Sequence, residues 1–188
     1  MTVKKELKLK AKIEDIDLVK GKVKKIAKYV GKEKTTDFFY LCDKIKDQYE
    51  FRIRKLRGNK IISFKLSLAE DPVQENEEYT FKVDDADDFV RFIEVLGFRP
   101  LSMLRKNCEV YQKKDIAIRL SEVESLGDYI ELTVECKEDF SEEKKEEMVE
   151  LLKQVWGSGG NIDNRYYGAI KEESDVKNSG FVEEVGVK

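Results

Sequence analysis

Five short stretches of the chain set charged or polar side chains at alternate positions, with apolar residues between them. They are Glu6-Leu7-Lys8-Leu9-Lys10, Phe51-Arg52-Ile53-Arg54, Ser63-Phe64-Lys65-Leu66, Glu78-Tyr79-Thr80-Phe81-Lys82 and Glu131-Leu132-Thr133-Val134-Glu135. Period-two alternation marks a strand with one dry face and one polar face. Here the polar rows are largely ionic. If the sheet closes on itself, those rows face one another across an interior. Cations and carboxylates sharing one cavity can hold a polyanion together with a metal ion. Taken alone, the alternation is met more simply by an open antiparallel sheet with a solvated charged face.

Other chemistries are excluded by what the chain lacks. It has no histidine, which removes Ser-His and Cys-His nucleophilic systems and His-ligated zinc. Cys42, Cys108 and Cys136 are too widely spaced for a C-x-x-C site and read as buried free thiols. Gly157-Ser158-Gly159-Gly160 lacks the Gly-Lys-Ser/Thr ending of a phosphate-binding loop and reads as a helix stop. The net charge of −3 hides an asymmetry, with 20 Lys/Arg against 10 Asp/Glu in residues 1–70 and 16 against 29 thereafter. The basic residues are spread over several elements with no aromatic-interleaved motif. That favours an anionic small ligand held between basic strands over nucleic acid. No apolar run approaches the roughly 18 residues of a membrane span, and the Lys-rich start has no signal-peptide core. A cytoplasmic protein with no membrane partner is expected.

The elements that would position these residues follow in a regular order. A strand over 3–13 leads to a helix capped by Asp15 or Asp17, running to about Val30 and stopped by Gly31. Strands follow near 35–43, 48–57, 60–69 and 76–83, two of them joined at Arg57-Gly58-Asn59. Asp84 or Asp85 opens a second helix with Phe89, Val90, Phe92, Ile93 and Leu96 facing inward and Gly97 at its end. Strands near 99–112, 115–121 and 128–136 precede a third helix capped by Ser141, with Met148, Leu151, Leu152, Val155 and Trp156 on its apolar stripe. A short helix near 162–170 completes a domain over 1–170. Residues 171–188 read as a polar tail anchored by Val176, Phe181, Val182, Val185 and Val187. The fold class is α+β, and eight antiparallel strands can close into a barrel that leaves no edge exposed.

In order and spacing the chain resembles the CYTH superfamily, the triphosphate tunnel metalloenzymes, which include class IV adenylyl cyclases, thiamine triphosphatases and inorganic triphosphatases. Glu6-Leu7-Lys8-Leu9-Lys10 stands where that family has Glu-x-Glu-x-Lys, and Phe51-Arg52-Ile53-Arg54 is similar to its Leu-Arg-x-Arg. Lys65 matches a strand lysine, and Asn76-Glu77-Glu78 is similar to Arg-x-Glu-x-Glu. Leu96-Gly97-Phe98 resembles the end of the second helix. Lys106 with Tyr111 matches part of Lys-x-Arg-x-x-Tyr, and Asp37 matches the aspartate of an Asp-x-Tyr segment, as a structural hydrogen-bonder. Leu126-Gly127-Asp128-Tyr129-Ile130-Glu131 resembles Leu-Gly-x-Phe-x-Glu, and Arg165-Tyr166-Tyr167 resembles Arg-Ser-Tyr.

The resemblance implies a closed or nearly closed eight-stranded tunnel with flanking helices. Within it, Lys8, Lys10, Arg52, Arg54, Lys65, Lys106 and Arg165 would bind a triphosphate such as ATP, thiamine triphosphate or inorganic tripolyphosphate. Glu6, Glu78 and Glu131 would hold Mg2+ or Mn2+, and Lys10, Arg54 and Glu78 would serve catalysis, either hydrolysis or cyclisation of ATP to cyclic AMP. The sequence departs from the pattern mainly at acidic positions. Lys8 stands for a glutamate, Thr80 for another, Ser121 for an aspartate and Thr133 for an acidic residue, while Asn76 and Cys108 stand for arginines. Glu122 adjoins Ser121, but a one-residue shift on a strand points a side chain to the other face. The metal set is therefore expected to be depleted and metal binding weak without substrate. A polyphosphate- or nucleotide-binding module without turnover is the alternative.

Overall fold

A computed structural model describes residues 1–45, 48–69, 72–136, 141–156, 162–163 and 165–180, with backbone alone at 136 and 178–180. The strands are β1 (Thr2–Ile13), β2 (Lys28–Leu41), β3 (Tyr49–Leu56), β4 (Asn59–Ala69), β5 (Gln74–Val83), β6 (Arg99–Lys113), β7 (Ile116–Val123) and β8 (Gly127–Cys136). The helices are α1 (Ile16–Ile26), α2 (Ala86–Val95), α3 (Glu142–Trp156) and α4 (Tyr167–Gly180). All strand pairings are antiparallel, and the order β1-β5-β4-β3-β2-β6-β7-β8 closes on itself as a barrel. No helix among the described residues is long and apolar enough to cross a membrane.

The alternating strands decide which way the barrel turns its two faces. Leu7, Leu9 and Ala11 of β1 pack outside, with Ile116, Ile118 and Leu120 of β7 and Ile130, Leu132 and Val134 of β8. Over them lie Val19 and Val23 of α1 and Met148, Leu151, Leu152 and Val155 of α3. Burying each of those large side chains contributes about 1.5–3 kcal/mol. With the apolar rows held outward, pleat geometry sends Glu6, Lys8 and Lys10, and likewise Glu131 and Thr133, into the barrel. A second apolar cluster joins Phe51, Ile53 and Ile62 to Ala86 and Ile93 of α2. A third joins Phe39, Leu104 and Tyr129 to Tyr167 and Ile170 of α4.

Local signals act as expected at most junctions. The Asp15 carboxylate accepts from Leu18 N at 2.9 Å, Asp85 from Asp87 N and Asp88 N, and Ser141 Oγ from Lys144 N at 3.4 Å, capping α1, α2 and α3. The β3–β4 hairpin turns on Arg57 and Gly58, both with positive φ.

Three expectations are corrected. Helix α1 ends at Ile26 rather than near Val30, because Lys28 onward pairs with the long strand β6. Val30 is left 62% exposed, and Gly31 sits at a ladder irregularity rather than a helix stop. On α2, Phe92 and Leu96 are exposed, since the buried stripe runs through Ala86 and Ile93 and these two positions lie off it. The last helix runs over Tyr167–Gly180 rather than 162–170. Its second half is held by the i,i+4 pairs Lys171–Asp175 and Glu173–Lys177, and Ile162 instead bridges to Ala11 of β1. Cys42 and Cys108 are buried free thiols. The Cys136 side chain, the 157–160 turn and the anchors Phe181, Val182, Val185 and Val187 lie outside the described residues.

Candidate functional site

The barrel encloses a cavity of about 280 Å³ lined by seven lysines and arginines and five glutamates. From β3, Arg54 forks onto the fully buried Asp37 of β2, Nε to Oδ1 at 2.6 Å and NH2 to Oδ2 at 2.7 Å. Arg52 NH1 donates to Glu50 at 2.6 Å, while its buried Nε has no partner among the described residues, and neither has Thr35 Oγ1. Lys65 of β4 donates to Glu6 at 2.6 Å and lies 3.7 Å from Glu78. Glu78 accepts from Ser63 Oγ at 2.7 Å and has Lys4 at 3.3 Å. Across the barrel, Glu131 takes Lys8 Nζ at 2.9 Å and Tyr167 Oη at 2.8 Å, with Lys106 at 3.9 Å.

Helix α4 fills one end of the interior. Lys10 Nζ rests 4.1 Å from the centre of the Tyr167 ring, and Lys106 Nζ 4.3 Å from it. Tyr166 Oη bonds Asn76 at 2.7 Å. Gly168 permits this approach, since a Cβ there would meet Phe39 Cδ1 at 3.1 Å.

The ion pairs leave clear electrostatic marks. Burial alone would raise the Asp37, Glu78 and Glu131 carboxyls, yet all three are held below the ordinary range, Asp37 by Arg54, Glu78 by Lys65, and Glu131 by Lys8. Burial, reinforced by the Lys8 ammonium, brings Lys10 down to about 7. Burial likewise brings Lys106 to about 8, outweighing Glu131 and Asp37.

Of the residues singled out in the sequence, Lys8, Arg52, Arg54, Lys65, Lys106, Glu6, Glu78 and Glu131 all line the one cavity. Lys10 points into the barrel but lies beyond the lining, against Tyr167. The Arg165 side chain does not reach the cavity: it is half-exposed and paired with Asp163 and Glu173, while its backbone carbonyl accepts from Lys10. Glu122 is exposed and Ser121 buried inward, so strand parity rules Glu122 out as a replacement. The sequence reading missed Lys4, Thr35, Ser63 and Arg119, which also line the cavity. Arg119 had a visible signal, because Ala117, Arg119 and Ser121 alternate with Ile116, Ile118 and Leu120. Ser63 shares the polar row of Ser63-Phe64-Lys65-Leu66 with Lys65, whereas Thr35 carried no signal, since a small hydroxyl residue suits either face of a strand.

The three expected metal-ligating glutamates do not form a cage. Each is already bonded to a lysine or has one beside it, and no group of three or more acidic or thiol side chains among the described residues is placed to hold a cation. As arranged, they do not fit a resident divalent ion.

A family model described as the CYTH domain matches residues 4–167. A Methanocaldococcus jannaschii protein named "Putative adenylate cyclase MJ0240" is 31% identical over 168 residues, covering 86% of this chain and 95% of that protein. The PH1012 protein of Pyrococcus horikoshii has the same fold, with a TM-score of 0.76, 22% identity and coverage of 87% of this chain and 98% of that one. So does HpAC1 of Hippeastrum, described as having a dominant triphosphatase activity, with a TM-score of 0.65, 15% identity and coverage of 90% and 96%.

Proposed function

The chain belongs to the CYTH domain family, and from that premise we propose that it binds a triphosphate-containing ligand in its barrel. The observation that carries this is the convergence of Lys8, Arg52, Arg54, Lys65 and Lys106 on one cavity inside the barrel. Guanidinium forks and lysine point charges are the donors that phosphate oxygens require. ATP, thiamine triphosphate and inorganic tripolyphosphate all present that group. The adenylate cyclase and triphosphatase descriptions of the relatives support hydrolysis or cyclisation as the accompanying chemistry, with Arg54 and Glu78, which line the cavity, as the residues on which turnover rests, and Lys10 set behind them against Tyr167.

Charge balance says in what form the ligand arrives. The lining cations exceed the lining carboxylates by only two, and Asp37 and Glu50 lie just behind on Arg54 and Arg52. A bare triphosphate would leave the interior strongly anionic. A triphosphate already complexed to Mg2+ or Mn2+ is the better-matched substrate, and free metal binds weakly. A second reading, a binding module without turnover, draws on the same engagement of Glu6, Glu78 and Glu131 by lysines.

Phosphate release from tripolyphosphate, ATP and thiamine triphosphate, with Mg2+ or Mn2+, tests the enzyme reading. A thermal shift with each ligand tests binding. Stabilisation without release leaves the binding module. No stabilisation by any of the three overturns the tunnel as a triphosphate site.

A further inference from the structure

Arg119 of β7 stands apart from the other cations of the cavity. Lys4, Lys8, Arg52, Arg54, Lys65 and Lys106 each have a carboxylate within 3.8 Å. Arg119 NH1 donates instead to a neutral oxygen, Thr133 Oγ1, at 2.7 Å, and among the described residues it makes no ion pair. A guanidinium carries five N–H donors, so one neutral bond leaves most of its capacity and its charge unmatched.

Its direction is fixed by the strand. Ile116, Ile118 and Leu120 are locked under the helices outside the barrel, so Arg119 cannot turn outward without unpacking that face. Thr133, whose hydroxyl steadies it, lies opposite Lys8 in the β1–β8 ladder, and Arg119 itself lies opposite Glu131. In the closed eight-strand order, β7 stands four places from β4, which bears Lys65, and so faces it across the barrel. Lys65 and Arg54 thus form one cationic wall, and Arg119 faces it from β7, with Lys8 of β1 between them, two strands from β4 and two from β7.

We propose that Arg119 is a polyphosphate ligand that sets the chain length the cavity accepts. One phosphate end is gripped by Arg54 and Lys65, and Arg119 takes an oxygen of the far end. Such a residue separates a chain long enough to span both walls from one that reaches a single wall. Thr35 and Arg52 line the same cavity, and their buried Oγ1 and Nε atoms have no partner among the described residues. The inference rests on the reading of the cavity as a triphosphate site and adds the length criterion to it.

Titration calorimetry of the whole chain with tripolyphosphate and with pyrophosphate, each with Mg2+, tests it. Arg119→Gln is expected to weaken tripolyphosphate binding by at least about tenfold, the loss of one charge-assisted contact, and pyrophosphate binding by less than about threefold, well under one such contact. Arg119→Lys keeps the charge, loses the fork and should fall between parent and Gln for tripolyphosphate. Melting temperatures of both variants report the fold, and if Gln unfolds, Lys and Thr133→Val, which removes only the anchoring hydroxyl, carry the comparison. Equal losses for both ligands, or none, would overturn the length role while leaving the triphosphate site standing. A parent chain that binds neither ligand overturns that site and this role together.

Discussion

Lys8 Nζ lies 2.9 Å from Glu131 Oε2 across the β1–β8 interface, with both side chains buried inside the barrel. Lys65 stands in the same relation to Glu6 on the other side of β1. Ammonium groups here neutralise the carboxylates that the sequence pattern would assign to a metal. Buried pairs of this kind are tolerated because each partner cancels the other's desolvation, and removing one partner leaves a charge stranded. An incoming polyphosphate therefore competes with the glutamates for the lysines.

Free metal is the first check on that arrangement. Mn2+ alone should give weak or no binding heat with the parent chain and little change in melting temperature. Lys8→Glu removes the ammonium from Glu131 and sets a second carboxylate beside it. That variant should be destabilised without metal, by about 3–5 kcal/mol for an uncompensated buried charge, and should be rescued in part by Mn2+. Tight Mn2+ binding by the parent would contradict the view that lysines hold the carboxylates.

Glu78 offers a complementary test. It lies beside Lys4 and Lys65 and 3.8 Å from Arg52, so its charge both restrains those cations and repels phosphate. Glu78→Gln should leave metal-free tripolyphosphate binding unchanged or slightly tighter by calorimetry, while lowering any metal-dependent phosphate release. A large loss of metal-free affinity would show that Glu78 positions the cations rather than competing for them.

Much of the site was legible because strand parity is strict. Once Leu7, Leu9 and Ala11 are assigned to the packed face, Glu6, Lys8 and Lys10 have only the other face. The same argument recovers Arg52, Lys65 and Glu131 and removes Glu122. What parity does not give is depth along the barrel. Lys10 and Arg165 belong to matching motif positions, yet Lys10 is sealed behind Tyr167, and the Arg165 side chain is drawn outward by Asp163 and Glu173. The misplaced boundary of α1 has the same origin. Whether residues near Lys28 continue a helix or join a ladder depends on how far β6 extends, which is a tertiary fact.

Burial gives Lys10 a pH signature. Its ammonium titrates at about 7 in the folded chain against 10.5 for the free side chain. Between those values the unfolded chain binds more protons, so this group's contribution to stability rises with pH across that window and is least favourable below about 7. Lys10→Met removes the effect. The melting temperature of Lys10→Met relative to the parent should therefore be higher at pH 6 than at pH 9.5. A difference that is flat or reversed with pH would mean that Lys10 keeps its charge inside the barrel throughout.

Arg54 is the sharpest probe of phosphate binding, provided its structural role is separated out. Asp37 is fully buried and forked onto Arg54, with Lys106 3.8 Å away. Arg54→Ala alone strands that carboxylate and should destabilise the chain by several kcal/mol, on the order of 3–5, so lost binding in that variant is ambiguous. The double change Asp37→Asn with Arg54→Met removes both charges together and should recover most of the stability, because no uncompensated ion remains. It should not recover binding. Tripolyphosphate affinity should stay weaker than the parent's by about 1.5–3 kcal/mol, the worth of a charge-assisted contact, and the ligand-induced rise in melting temperature should shrink accordingly. If the double variant folds and binds tripolyphosphate as tightly as the parent, Arg54 only anchors β2 to β3, and the wall it shares with Lys65 is not where the phosphates are held.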